Sequence, residues 1–185
     1  MSGMWKRGYG KATRAPSDER DGQQTSQAYC YRATSRLYNT YGMLAGDMDM
    51  LPKPVGAKLP MLITGGSQQS PDWIAGHGAG WITYPRQVAV QAKLIADWRA
   101  RVEALGGPAK PAMQSLYVDL TDDPDALPQP IHLGFRLGVR HLRAYLSALE
   151  AIGINHVAMN LRLNRADTEA TLHRLATEVL PAFTD

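Results

Sequence analysis

From Met61 onward the chain alternates short apolar runs with amphipathic stretches, and this alternation most narrows what it can fold into. Met61–Thr64 is a short apolar run that predicts a strand. Pro71–His77 predicts a short helix, with Ser70 as its N-cap and proline at its first position. Gly80–Tyr84 predicts a second strand. Gln87–Leu105 carries Leu94, Ile95, Trp98, Val102 and Leu105 on one helical stripe and stops at Gly106-Gly107-Pro108. Met113–Leu120 predicts a third strand, and Asp122–Pro130 a loop. Arg136–Ile152 predicts a helix facing inward with Leu142, Tyr145, Leu146, Leu149 and Ile152. Ile154–Asn160 predicts a fourth strand. Asp167–Leu180 predicts a last helix, with Leu172, Leu175, Ala176 and Val179 inward. A β-α unit repeated four times implies parallel strands, right-handed crossovers and helices outside. Four units are too few to close a (β/α)8 barrel of about 250 residues. They make an open α/β sheet or half a barrel.

The segment before this pattern differs in kind. Residues 1–36 are rich in Ser, Thr, Gln, Gly and Arg and have no sustained apolar period, so they are expected to be disordered or foreign to the fold. They hold seven Lys/Arg and three acids, a net of +4. The whole chain is +3, so residues 37–185 are net −1. The basic character belongs to the tail, which argues against a nucleic-acid-binding face. Residues 37–58, with Leu51-Pro-Lys-Pro-Val55, predict an extended approach segment. Residues 37–185 are expected to form one domain.

Composition limits the setting. A chain of 185 residues with 44% apolar and 20% charged residues can bury a real core. No apolar run approaches the roughly 18–20 residues that span a membrane, and no secretory signal opens the chain. The lone cysteine, Cys30, cannot form an internal disulfide. A cytoplasmic protein without membrane partners is expected.

One junction in the alternation carries chemistry. At the end of the first strand, Thr64-Gly65-Gly66-Ser67 leads through Ser70 into the first helix. Two glycines allow a sharp turn, and two hydroxyls stand beside the helix N-terminus. In parallel α/β folds, ligands bind at the C-terminal ends of strands. The turn therefore suits a phosphate. The same residues also read as a tight strand-to-helix turn with a serine cap and no ligand.

The wider pattern resembles a known family. Pro60-Met-Leu-Ile-Thr-Gly-Gly-Ser67, Trp73-Ile-Ala75, Gly80-Trp-Ile-Thr-Tyr-Pro-Arg86, Leu116-Tyr-Val-Asp-Leu120, Leu133-Gly-Phe-Arg-Leu-Gly138 and Gly153-Ile-Asn-His-Val-Ala-Met-Asn160 are similar to the bacterial-luciferase-like monooxygenases. The resemblance covers about residues 40–183, with Gly46–Pro54 as approach segment, and is greatest to luciferase-type flavin-dependent oxidoreductases. It implies a partial TIM (β/α)8 barrel of about four C-terminal β-α units, corresponding to barrel strands five to eight. It implies FMN, or alternatively the deazaflavin F420, and oxygenation of a small organic substrate with O2. The flavin phosphate would lie on Gly65, Gly66, Ser67 and Ser70. Luciferases proper have an acidic residue where this chain has Gly66, so that contact would come from backbone. Tyr84 and Arg86 would line the isoalloxazine or substrate side, and Trp81 would sit in the core.

The resemblance also implies a deficit. The family's first four strands supply much of the substrate pocket, and residues 1–36 are too few for four units of roughly 30 residues. A truncated, rearranged or frame-shifted product is expected, with two open strand edges and an uncovered inner face. Such a half barrel calls for a homodimer or a complementary half. The alternative is a non-catalytic flavin- or phosphate-binding remnant or subunit. No catalytic residue can be assigned from sequence.

Other residues carry less. The histidines lack the i,i+4 spacing of a helical metal site, and no metal is expected. His156 reads as a core histidine. Asp119, Asp122, Asp123 and Asp125 read as a solvated acidic loop, and Arg136 as a residue facing the cofactor. There is no nucleophile elbow, P-loop or dinucleotide fingerprint.

Overall fold

A computed structural model describes residues 37–39, 42–44, 55 and 59–183. The expected tail, residues 1–36, and most of the approach segment lie outside them. The chain divides into two compact units, one ending at Pro60 and one starting at Met61. In the first, β1 (Leu37–Asn39) and β2 (Gly42–Leu44) pair antiparallel, with Leu37 opposite Leu44. Sequence patterning did not suggest a strand pair there.

In the second unit the expected alternation is present. The elements are β3 (Leu62–Thr64), α1 (Pro71–His77), β4 (Gly80–Thr83), α2 (Val88–Ala104), β5 (Ala112–Leu120), α3 (Val139–Ala151), β8 (His156–Asn160) and α4 (Thr168–Arg174). β3, β4, β5 and β8 pair in that order, all parallel. Among the described residues β3 pairs only with β4, and β8 only with β5, so both outer edges are open.

The sequence also did not foresee a hairpin, β6 (Gln129–Ile131) and β7 (Gly134–Leu137). β7 runs parallel to the C-terminal half of β5, with Asp119 opposite Arg136. It occupies the edge of β5 that β4 uses lower down. The Pro111 carbonyl accepts the Trp81 N–H, and the Tyr117 and Thr121 N–H groups donate to Leu133 and Leu137, all from odd-numbered residues. The Ala112 carbonyl, from the other set, accepts from Asn155 toward β8. Gly134 permits the approach: a Cβ there would lie 1.8 Å from the Tyr117 carbonyl oxygen. Arg136 is therefore a strand residue, and α3 begins three residues later than the sequence suggested.

The helices cover one face of the sheet. Outward-facing Trp81 and Ala112 meet Trp73, Ile74, Ile95, Trp98, Val102 and Leu149 in one core. Leu116, Val118, Leu120 and Leu137 meet Val139, Leu142, Leu146, Leu175 and Val179 in a second. Each large side chain so buried contributes roughly 1.5–3 kcal/mol. The opposite face is open: Leu62, Thr64, His156, Ala158 and Asn160 are exposed. His156 is thus a surface residue on the inner face of an edge strand, not a core histidine.

The last helix also departs from expectation. α4 passes into a π turn (Leu175–Val179) and a 3-10 turn (Leu180–Ala182). Thr171, Leu175 and Val179 face inward, while Leu172 and Ala176 are exposed.

Candidate functional site

The C-terminal ends of β3 and β4 bring together all six residues singled out at the turn. Gly65 is buried at φ +58, a region open to glycine, and its N–H donates to the Ile82 carbonyl at 2.7 Å. Its carbonyl accepts the Trp81 indole N–H at 2.6 Å. A Cβ on Gly65 would lie 2.8 Å from the Tyr84 ring. Trp81 is thus a core residue that also pins the turn, and Tyr84 shields it while remaining 43% exposed. Gly66 differs: a Cβ there meets nothing within 4 Å. The space over Gly66 is open to a ligand.

The hydroxyls play unequal parts. The Ser67 hydroxyl donates to the Thr64 carbonyl at 2.7 Å, so its proton is engaged. The Ser70 oxygen accepts the Trp73 N–H at 3.1 Å as the N-cap, which leaves its proton free to donate. The Gln69 N–H bonds the Gly66 carbonyl, while the N–H groups of Gly66, Ser67 and Ser70 have no partner among the described residues. The Gln69 side-chain oxygen is buried without a partner. Ser67 and Gln68, at φ 40 and 58, hold the turn in a left-handed conformation costly for non-glycine residues. Asp72, in the first turn of α1, is engaged by Arg101 at 2.5 Å.

Beside the turn, the Arg86 guanidinium donates to the Tyr84 carbonyl at 2.9 Å and to Gln91 Oε1 at 3.4 Å. Gln91 is fully buried and donates its amide N–H to Thr83 Oγ1, which in turn donates to the Met113 carbonyl at 3.2 Å. Arg86 is exposed but held in place.

At the ends of β5, β7 and β8 lies a second group. Asp119 is only 2% exposed, a correction to the solvated loop expected from sequence; Asp122, Asp123 and Asp125 are exposed as expected. Arg136 and Arg165 approach Asp119 Oδ2 at 3.7 and 3.4 Å. Period-2 alternation from Met113 would have found Asp119, since it faces inward with Ser115 and Tyr117. Among the described residues no group of His, Cys, Asp and Glu is arranged to hold a metal ion, and no helix is long and apolar enough to cross a membrane.

These features define a class of fold: helices on one face of a mostly parallel sheet, as in part of a TIM-type (β/α) barrel. Solved structures share it. An F420-dependent secondary alcohol dehydrogenase, solved with an F420-acetone adduct, aligns over 86% of this chain at a TM-score of 0.64 and 11% identity. DmoA from Hyphomicrobium sulfonivorans aligns over 80% at a TM-score of 0.55 and 14% identity. This chain spans 58% and 46% of those two chains, and the likeness at such identities is one of fold. No family model and no curated protein matches the sequence.

Proposed function

We propose that this chain supplies part of the barrel of a luciferase-like, flavin-dependent oxidoreductase, and that the turn from Gly65 to Ser70 holds the cofactor's phosphate. The observation that carries this reading is the turn itself. It stands at a strand's C-terminal end, clamped by Trp81 and Tyr84, with three unengaged N–H groups, one free hydroxyl proton and open space over Gly66. The fold shared with an F420-dependent dehydrogenase supports it.

The residues fit a flavin nucleotide of either kind, FMN or F420. Backbone N–H groups of Gly66, Ser67 and Ser70, with the Ser70 hydroxyl, would donate to phosphate oxygens. The buried Gln69 oxygen would accept a hydroxyl of the cofactor's side chain. Tyr84 offers an apolar ring, and Arg86 a cation held by Tyr84 and Gln91. When bound, the flavin supplies the redox chemistry, and these residues position it. In the family this chain resembles, that chemistry is monooxygenation of a small organic substrate with O2.

A second reading is favoured by the open inner face and the two open edges of β3 and β8. The chain then binds flavin or phosphate but completes its barrel, and gains activity, only with a second copy or a complementary half.

Fluorescence titration with FMN, F420 and riboflavin tests both. Saturable binding of FMN or F420, weaker for riboflavin and reduced about tenfold in a Ser67→Ala/Ser70→Ala variant, is expected. A folded sample that binds neither FMN nor F420 overturns the proposal. Sedimentation then separates the readings: flavin-dependent turnover only in a dimer or with added partner half supports the second.

A further inference from the structure

We infer that Arg136 and Arg165, held by the buried Asp119, form a second anion site, for a carboxylate or phosphate of a small organic ligand. It lies at the C-terminal end of β5, across the sheet from the Gly65 turn, and it stands whether or not that turn holds a flavin.

The inference starts from how this protein uses four other arginines that lie beside an acid or a carbonyl. Arg140 grips both oxygens of Asp125 at 2.8 and 2.7 Å. Arg101 donates to Asp97 and Asp72 at 2.5–3.2 Å. Arg99 donates to the Gly153 carbonyl at 2.5 Å and to Asn155 at 3.1 Å. Arg174 donates to Glu178 and to the Thr121 carbonyl, each at 3.0 Å. In these four the guanidinium is engaged in hydrogen bonds; Arg143 and Arg162, exposed and with no acid beside them, make none among the described residues. Arg136 and Arg165, though beside an acid, are not so engaged: their nearest approaches to Asp119 are 3.7 and 3.4 Å, and neither guanidinium makes a hydrogen bond among the described residues. A charge-assisted contact made for its own sake is about 2.7–2.9 Å long.

Their framework is nonetheless fixed. Asp119 Oδ1 accepts the backbone N–H of Arg165 at 3.0 Å. The neighbouring Asn164 accepts the Leu120 N–H at 3.1 Å and donates to the Ala166 carbonyl and to Thr171, each at 2.9 Å. The loop after β8 is thereby stapled to the end of β5, and Arg136 is set by its register opposite Asp119. A carboxylate this buried requires opposite charge nearby. One carboxylate balances one guanidinium, and two are present. The surplus is a positive charge, with side chains 36% and 70% exposed and planar donors unengaged. Such a pair matches the paired oxygens of a carboxylate or phosphate. In parallel barrels the strand ends are where ligands are met.

The test is an NMR titration of the full chain, labelled with 15N, reading arginine Nε–Hε signals against succinate and against inorganic phosphate. The Arg136 and Arg165 signals should follow one saturable curve with at least one probe, while the signal of Arg143, exposed on α3, does not. Arg165→Gln, at an exposed position, should weaken the curve read at Arg136 about tenfold. Unsaturating shifts shared by every arginine, or an unchanged curve in Arg165→Gln, overturn the site. Saturating FMN should leave the probe bound at Arg136; displacement by FMN would assign the anion to the cofactor's own phosphate and overturn a separate site.

Discussion

The two anion sites proposed at the two ends of the sheet differ in the kind of donor they present. At the β3–β4 end the donors are backbone N–H groups and a capping hydroxyl, set by one glycine at φ +58 and an indole clamp. At the β5–β7–β8 end they are guanidiniums, set by a buried carboxylate and an asparagine-stapled loop. Backbone donors need an exact chain path but no charge. Guanidiniums need a counter-charge to hold them and bring specificity through their own geometry. A cofactor phosphate suits the first kind, and a small organic ligand the second.

The largest expected effect breaks the second end. Gly134→Ala places a methyl against the Tyr117 carbonyl, and the atoms it meets are Tyr117 backbone rather than a flexible side chain. A loss of about 3 kcal/mol or more is expected by denaturant titration. Gly66→Ala, in open space at the first end, should change stability by less than about 0.5 kcal/mol. Equal losses would mean that β7 is not packed on β5 as described.

Trp81→Phe sharpens the first end. It keeps most of the buried ring but leaves the Gly65 carbonyl without its indole donor. About 1–3 kcal/mol of stability should be lost. Flavin affinity should fall as well, because the turn loses its clamp; anion binding at Arg136 and Arg165 should not change. Loss of both together would show that the ends are coupled.

The smallest effect concerns two tyrosines. Tyr84 at the turn is exposed, whereas Tyr145 packs behind β5 and accepts a 3.0 Å hydrogen bond from Gln114. Burial raises the Tyr145 phenol above its usual value of 10.0, outweighing the opposite pull of the Gln114 contact. The folded state therefore favours the neutral phenol. Its contribution is complete below about pH 10 and is lost as pH rises through the folded value. The parent protein should lose more stability above pH 10 than Tyr145→Phe does; parallel pH profiles would refute the burial.

Much of the helix pattern was legible, and the errors have identifiable causes. The α3 stripe of Leu142, Tyr145, Leu146, Leu149 and Ile152 is buried or half-buried, because a regular 3.6-residue period reports one face directly. In α2 the same rule missed Gln91, a buried polar residue that holds Arg86 and Thr83, and wrongly included Leu105, which is exposed. Along the last helix the inward row is Thr171, Leu175 and Val179, so Thr171 takes the inward place expected of Leu172. The β6–β7 hairpin was hidden by Pro128 and Pro130, which read as a loop. Pro130 is tolerated because β6 is an edge strand.

The sequence by itself determined the alternation of strands and helices, the turn at Gly65–Ser70 and its serine cap. These depend on local periodicity and on backbone conformations that only certain residues adopt. Tertiary structure alone decided that Trp81 clamps the turn and that Asp119 is buried between Arg136 and Arg165. Those facts depend on which residues meet across the sheet, and residues 46 positions apart, such as Asp119 and Arg165, become neighbours only once parallel strands are in register.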